Sequence, residues 1–434
     1  MDYKERKKTP LENSSPKSFK KVLLMGYNGA NNTGSETRLI SIIADLRKVL
    51  GKDVELTIPT LNEKNLRRYI EEDEYLKIVP VPSIYFFALK KIVEKQDLVL
   101  LVEGSCYMDT WTSALLWAFL WTTRCAYNHG IPCIAYAVDS GELSRFNRFL
   151  VKREASKTDL IITRTKYAKD RLIEIGVSAP IVSTADCAFS FETKLNDRNI
   201  LKKIWNSEKP EPQEGFVGIA VVDFHLWPVV IRPWGRKVNL YKWPYYFSRS
   251  ISRVQKSETL SKNWAHEADR IVEQHSKNII IICMEELDEP LAIEIKNKMK
   301  HSKNAMIVSA GTYNASQMTE VLRSLELLIT SRYHAGVLSM KNSVPQIGIG
   351  HDQRLKGLYK DMKIEKEFLI DYPGGNSKAD GLWEGLSKKV DHLIENPNDT
   401  RELIGRCYQN QLELSLNNKK FLKKFLFEHE DVMV

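Results

Sequence analysis

The stretch KVLLMGYNGANNTGSETRLISIIADLRKVL, residues 21–50, decides the fold. It opens on a short apolar run, KVLLM, of the kind a strand shows when both faces of its sheet are covered. A loop of small and polar residues follows, Gly26 to Ser35. From Glu36 to Leu50 the period changes, and Leu39, Ile42, Ile43 and Leu46 fall on one face of a helix. Strand, loop and helix make half of a βαβ unit. Further apolar runs at 54–58, 77–81, 97–102, 132–138, 159–163 and 181–183 alternate with helical spacing, including a helix over 165–175 stopped by Gly176. This alternation predicts a parallel sheet covered by helices, with right-handed connections.

The pattern breaks over residues 195–214, which are polar and contain Pro210 and Pro212. It resumes at 216–222 (FVGIAVV), 278–283 (NIIIIC), 305–309, 325–330 (LELLIT) and 345–349 (PQIGI). The chain therefore reads as a disordered basic tail (1–18), a Rossmann-like domain (19–194), a linker (195–214), a second Rossmann-like domain (215–398) with an aromatic insert at 223–248, and a closing helix (399–434). The expected class is α/β, with two Rossmann-like domains whose parallel sheets face a cleft. Ligands of such sheets sit beyond the carboxyl ends of the strands, so the residues after each apolar run are the candidates for function.

Of 434 residues, 43% are hydrophobic and 27% charged, which excludes a fibrous or disordered chain. Lys and Arg number 64 and Asp and Glu 55, for a net charge of +9; the first 21 residues contribute +4 of it. The body is only mildly basic, so we expect anionic ligands and no nucleic acid. Six cysteines lack zinc or redox spacing, as in a reduced cytoplasmic protein. The opening residues have no apolar core of a secretory signal. The longest apolar stretch, WTSALLWAFLW at 111–121, is shorter than the roughly 20 residues a bilayer span needs. It reads as a buried helix, with interfacial membrane contact left open by its three tryptophans.

At the strand ends stand several candidates. The loop holding Asn32 and Gly34 can turn its N–H groups toward an anion at a helix N-terminus, or be a plain turn with Ser35 as helix cap. Glu103, Gly104, Ser105 and Asp109 follow the fourth run, Asp139-Ser140-Gly141 the fifth and Arg164 the sixth. Asp186 has a structural reading. The most informative segment is LELLITSRYHAGVLSMKNSVPQIGI, 325–349. Ser331 is the expected N-cap, with Arg332, Tyr333 and His334 in the first helical turn as an anion site. His351 and Arg354 belong to a basic cluster after the next strand. The insert at 223–248 interleaves tryptophans and tyrosines with Arg232, Arg236, Lys237 and Lys242, which suits a lid over a sugar acceptor or plain packing, and nucleic-acid stacking would look similar.

Taken together, the segments resemble the polysaccharide pyruvyltransferase family. The resemblance rests on the Gly/Asn loop before Glu36, on Gly104 and Ser105, on Arg164, and on Ser331-Arg332-Tyr333-His334 followed by the Val-Pro-Gln-Ile-Gly-Ile strand. Several positions depart from the family pattern: Ser35 replaces an Asp, Glu103-Gly104-Ser105 a triple glycine, Asp139-Ser140-Gly141 a glycine-proline pair, and Val222-Asp223 an Arg that Arg232 resembles ten residues on. The resemblance implies a GT-B-like fold and transfer of pyruvate from phosphoenolpyruvate onto two sugar hydroxyls in a cell-surface polysaccharide, exopolysaccharide or lipid-linked glycan, forming a ketal. It implies His334 as acid/base, Glu36 and Asp109 as proton-transfer carboxylates, and Arg332, Ser331, Arg232, Arg164, Asn32, Gly34, Gly104, Ser105 and His351 as substrate or anion contacts. No metal and no cofactor beyond the donor is expected.

Two alternatives remain at this stage: a GT-B glycosyltransferase with a nucleotide-sugar donor, and a non-catalytic glycan- or anion-binding relic. A homo-oligomer is open. So is peripheral contact with the inner face of the membrane through Lys419, Lys420, Lys423 and Lys424 of the last helix. The structural reading has that helix packing back across the domains.

Overall fold

A computed structural model of the chain describes residues 19–208, 215–226, 229–232, 234, 240–248, 250–350, 353–372 and 380–427. The first half forms strands β1 (Lys21–Met25), β2 (Glu55–Thr60), β3 (Leu76–Pro80), β4 (Leu98–Leu101), β5 (Cys133–Val138), β6 (Leu160–Thr163) and β7 (Ile181–Ser183). They make one all-parallel sheet in the order 3-2-1-4-5-6-7. The central strands β4, β5 and β6 are buried throughout, which is why they read as apolar runs.

The second half begins with β8 (Phe216–Ala220). The insert follows as β9 (Val229–Ile231), β10 (Leu240–Lys242) and β11 (Tyr245–Phe247). Then come β12 (Asn278–Cys283), β13 (Ala305–Ser309), β14 (Leu327–Thr330), β15 (Gln346–Gly350) and β16 (Leu369–Asp371). The second parallel sheet runs 13-12-8-14-15-16, which is the winding of the first repeated. Each sheet reverses its strand order once, between β1 and β4 and between β8 and β14. These are the points where doubly wound sheets open a crevice.

Within the segment read as a linker, Ile200–Glu208 is a helix that sets Leu201, Ile204 and Trp205 into the core of the second sheet. The closing helix, Pro397–Phe427, returns across both halves. It buries Leu422 and Leu426 in the core of the first sheet, and Asn418 bonds Thr184 Oγ1 and the Ala185 carbonyl. Its apolar face is thus used internally, with Lys420 and Lys423 on the exposed side. No helix among the described residues is long and apolar enough to cross a membrane. All six cysteines are buried and free.

The insert is an antiparallel ribbon in the order β10-β11-β9, folded onto the first half. Val229 N–H donates to the Trp111 carbonyl at 2.8 Å, and Tyr245 O–H to the Ser83 carbonyl at 2.6 Å.

Candidate functional site

The loops leaving the two switch points converge on one cavity of about 660 Å³ between the halves. Its polar end holds the Gly26–Asn32 loop, Glu103, Ser105, Arg164, Glu285, Arg332, His334 and Arg354. Its other end is apolar, with Tyr85, Leu89, Leu115 and Ala118 facing Val229 and Phe247 of the ribbon.

The opening loop works as a helix entry. Asn32 is the cap of the 18-residue helix Thr33–Leu50, its side chain accepting from Ser35 N–H at 3.1 Å. Ser35 is therefore not the cap; its hydroxyl donates to Glu103 at 3.0 Å. The loop is also stitched to the other half. Thr33 N–H donates to the Met284 carbonyl at 2.8 Å, Asn32 and Glu285 form a β-bridge, and Asn31 Nδ2 donates to Glu286 at 2.7 Å. This clasp brings Gly34 against His334, where a Cβ would collide with the imidazole.

Beneath the cavity lies a buried ionic cluster. Arg38, fully buried, donates to the Val102 and Tyr136 carbonyls at the ends of β4 and β5 and pairs with Asp186 at 2.8 Å. Arg164 reaches Asp186 and Asp139, each at 2.8 Å, and its guanidinium lies 3.8 Å over the Tyr333 ring. A Cβ at Gly104 would stand 2.5 Å from that guanidinium, so only glycine lets Arg164 pass. Ala137, at φ 52°, turns the end of β5 so that Asp139 can meet Arg164. Burial alone would raise the Asp186 carboxyl, yet Arg38, His334 and Arg164 hold it well below its usual range.

His334 Nε2 lies 3.4 Å from Asp186 Oδ2, within ion-pair reach but outside good hydrogen-bond geometry. Burial lowers the His334 pKa; Asp186 opposes this, and Arg164 and Arg38 add to it. The imidazole is neutral at pH 7. Its helix, Tyr333–Ser339, has only seven residues, with Arg332 at the cap position. Ser331 is therefore not the N-cap, and its buried hydroxyl is unpartnered.

Arg332 differs from the expected open anion site. Its guanidinium pairs with Glu285 at 3.4 Å and closely with Asp288. Burial pushes the Asp288 carboxyl up to about 7 against the pull of Arg332. Burial also raises Glu285, which accepts from Tyr27 O–H and Asn32 Nδ2, each at 3.2 Å.

The other candidates divide. Asn32, Ser105 and Arg164 line the cavity with His334 and Arg332, while Gly34 and Gly104 admit the groups that do. Glu36 does not line it. It is buried toward the Ala315–Arg323 helix with neither oxygen in good hydrogen-bond geometry; burial lifts its carboxyl to about 8, with Arg68 and the Ala315 N–H opposing. Asp109 lies outside the lining, accepting from Ser144 N–H at 2.9 Å and Asn147 Nδ2 at 2.7 Å. The following helix is capped by Thr112. Arg232 is exposed on the ribbon, and Asp223 is buried, accepting from Ser257 Oγ at 2.8 Å; neither lines the cavity. His351, Arg236 and Lys237 lie outside the described residues.

Three cavity residues went unassigned from sequence. Glu103 and Arg354 stood in quoted strand-end clusters; Arg354 stacks at 4.6 Å on Trp111 and approaches Ser105 Oγ at 3.4 Å. Glu285 follows β12 directly, so the strand-end rule applied there would have found it. Among the described residues, no group of three His, Cys, Asp or Glu side chains is placed to hold a metal ion.

Residues 31–353 match the family model for polysaccharide pyruvyl transferase. No significant match is found among curated proteins. Solved structures with a similar fold include S. aureus MnaA with UDP (11% identity, 94% of this chain and 97% of that one, TM-score 0.61). Others are UDP-GlcNAc 2-epimerase from Methanocaldococcus jannaschii (15%, 91% and 98%, 0.57) and Anabaena Alr3699/HepE in complex with UDP-glucose (12%, 93% and 99%, 0.58). At these identities the likeness is one of fold, the two-domain GT-B arrangement.

Proposed function

The chain belongs to the polysaccharide pyruvyl transferase family, and on that premise we propose that it transfers pyruvate from phosphoenolpyruvate to two hydroxyls of a sugar, forming a cyclic ketal. The observation that carries the reading is the placement of His334. An imidazole loosely paired with Asp186 is held against the first turn of the Thr33–Leu50 helix, at the polar end of an interdomain cavity. Phosphoenolpyruvate brings a phosphate and a carboxylate. A long helix N-terminus, Arg354 and Arg332 are the groups here that favour such an anion.

The chemistry then needs two protons removed, one from each sugar hydroxyl, and two delivered, one to the donor methylene carbon and one to the departing phosphate. A proton goes to the donor methylene carbon, making it a methyl group, as a sugar hydroxyl bonds to C2. The C2–O bond to phosphate breaks, phosphate leaves with the electron pair, and the second hydroxyl closes the ring on C2. Neutral His334 is suited to take a hydroxyl proton. Glu285, lining the cavity with its pKa raised by burial, is the carboxylate we assign to proton exchange there. Glu103, whose described side-chain partners Ser35 Oγ and Ser105 N–H are neutral, would orient the acceptor. Glu285 would take the proton-transfer role that sequence reading gave to Glu36 and Asp109. The donor is a cytoplasmic metabolite, so the protein would act there.

The test is thermal stabilisation by phosphoenolpyruvate against UDP- and GDP-sugars, in wild type and His334→Ala. A hundredfold excess over Kd stabilises by about 2.7 kcal/mol. A phosphoenolpyruvate shift that shrinks in the variant is expected. A shift with a nucleotide sugar alone would make the protein a glycosyltransferase instead.

A further inference from the structure

Three helices lie side by side on the outer face of the first half: Phe86–Val93, Ser113–Asn128 and Arg145–Ala155. Phe86 packs edge-on against Trp121 at 5.6 Å, and the Trp117 indole donates to Asn147 at 2.8 Å, which ties the three together. Their outward surface is unusually apolar for a solvated face. Phe87 is 81% exposed, Phe146 62%, Phe149 58% and Ile84, on the preceding turn, 52%. The three helices carry seven Lys or Arg (Lys90, Lys91, Arg124, Arg145, Arg148, Lys152, Arg153) and one acid, Glu154, so their net charge is 7 − 1 = +6. Glu154 is itself buried under Arg124, Arg153 and Lys157.

Exposed aromatics set among an excess of cations, of which Lys90 and Arg148 pair with the flanking Glu94 and Glu174, match the boundary between headgroups and acyl chains of an anionic bilayer. The inner sides of two of these helices supply Leu89, Leu115 and Ala118 to the apolar end of the cavity. We propose that this three-helix face seats the protein on an anionic membrane surface and so brings the cavity's apolar end close to the bilayer. The proposal is independent of the donor. It moves membrane contact away from the C-terminal helix, whose apolar side is already packed.

The test uses the full chain and co-sedimentation with phosphatidylcholine vesicles, with and without phosphatidylglycerol. Wild type should partition to the mixed vesicles and more weakly to phosphatidylcholine alone. Phe87→Ser with Phe146→Ser should reduce partition at least about tenfold. An unchanged melting temperature and an unchanged phosphoenolpyruvate shift would show that the fold and the cavity survive. Lys420→Glu with Lys423→Glu should bind as wild type does. Three results would overturn the proposal: no vesicle binding by wild type, equal binding by the aromatic variant, or a wild-type dimer in size exclusion that the aromatic variant converts to monomer.

Discussion

Gly34 and His334 stand on different halves of the molecule, yet the glycine's missing Cβ is the space the imidazole occupies. The backbone at position 34 is ordinary helix, so the requirement comes from the neighbour and not from φ. Gly34→Ala should displace His334 and weaken phosphoenolpyruvate binding at least about tenfold, at a stability cost of about 1–3 kcal/mol. Gly385→Ala, in a helix with nothing within 4 Å, is the matched control and should leave both unharmed. Calorimetric titration of the two variants separates the effects.

Asp186 answers two buried arginines. Asp186→Asn leaves Arg38 and Arg164 short of countercharge and should cost about 3–5 kcal/mol in urea unfolding. Because the folded-state pKa of Asp186 is depressed, its contribution is present above the ordinary Asp range and is lost as pH falls through the lower folded value. The gap between wild type and variant should therefore narrow in strong acid.

Glu36 has the opposite sign. Its folded pKa of about 8 lies above the usual 4.5, so stability is greatest below pH 4.5 and falls as pH rises between the two values. Glu36→Gln removes that dependence. It should raise stability at pH 8 by up to about 3 kcal/mol and change little at pH 4.5. Equal unfolding midpoints for the two proteins at pH 8 would refute this.

Arg332 is neutralised by Glu285 and Asp288, and Asp288 titrates near 7. Sulfate, which does not titrate in this range, should bind up to about fivefold more tightly as pH drops from 8 to 7, because protonating Asp288 unmasks the guanidinium. The slope should flatten in Asp288→Asn.

Glu103→Gln keeps the size of the side chain but removes its charge. Donor binding should persist while pyruvyl transfer drops about 10²-fold through lost acceptor positioning. Asp109→Ala, by contrast, should cost about 0.5–2 kcal/mol of stability and leave transfer per folded molecule intact.

The two parallel sheets were legible because strands covered on both sides must be apolar throughout; NIIIIC at Asn278–Cys283 marks its strand to the residue. Leu369–Asp371 was not, since a three-residue edge strand with partly exposed side chains carries no such run. The ribbon strands escaped for the same reason, hidden among aromatics and cations. For the site, the rule of looking beyond strand ends located His334, Arg332, Arg164 and Ser105. What it could not supply was partnership. Arg332 meets Glu285 and Asp288 from positions 47 and 44 residues away. Glu36 sits in the first helical turn as expected, but whether it faced the cavity or the Ala315–Arg323 helix depended on how the halves dock.

The clasp between Asn31–Thr33 and Met284–Glu286 bears on how this protein can be recombined. Two-domain scaffolds invite chimeras in which one half is exchanged for that of a relative. Here the loop that would meet the donor is shaped by backbone bonds from the other half, so neither half carries a finished site. A working hybrid would have to inherit residues 26–36 and 284–289 from one parent, which makes the crossover point at the middle of the chain the wrong place to cut.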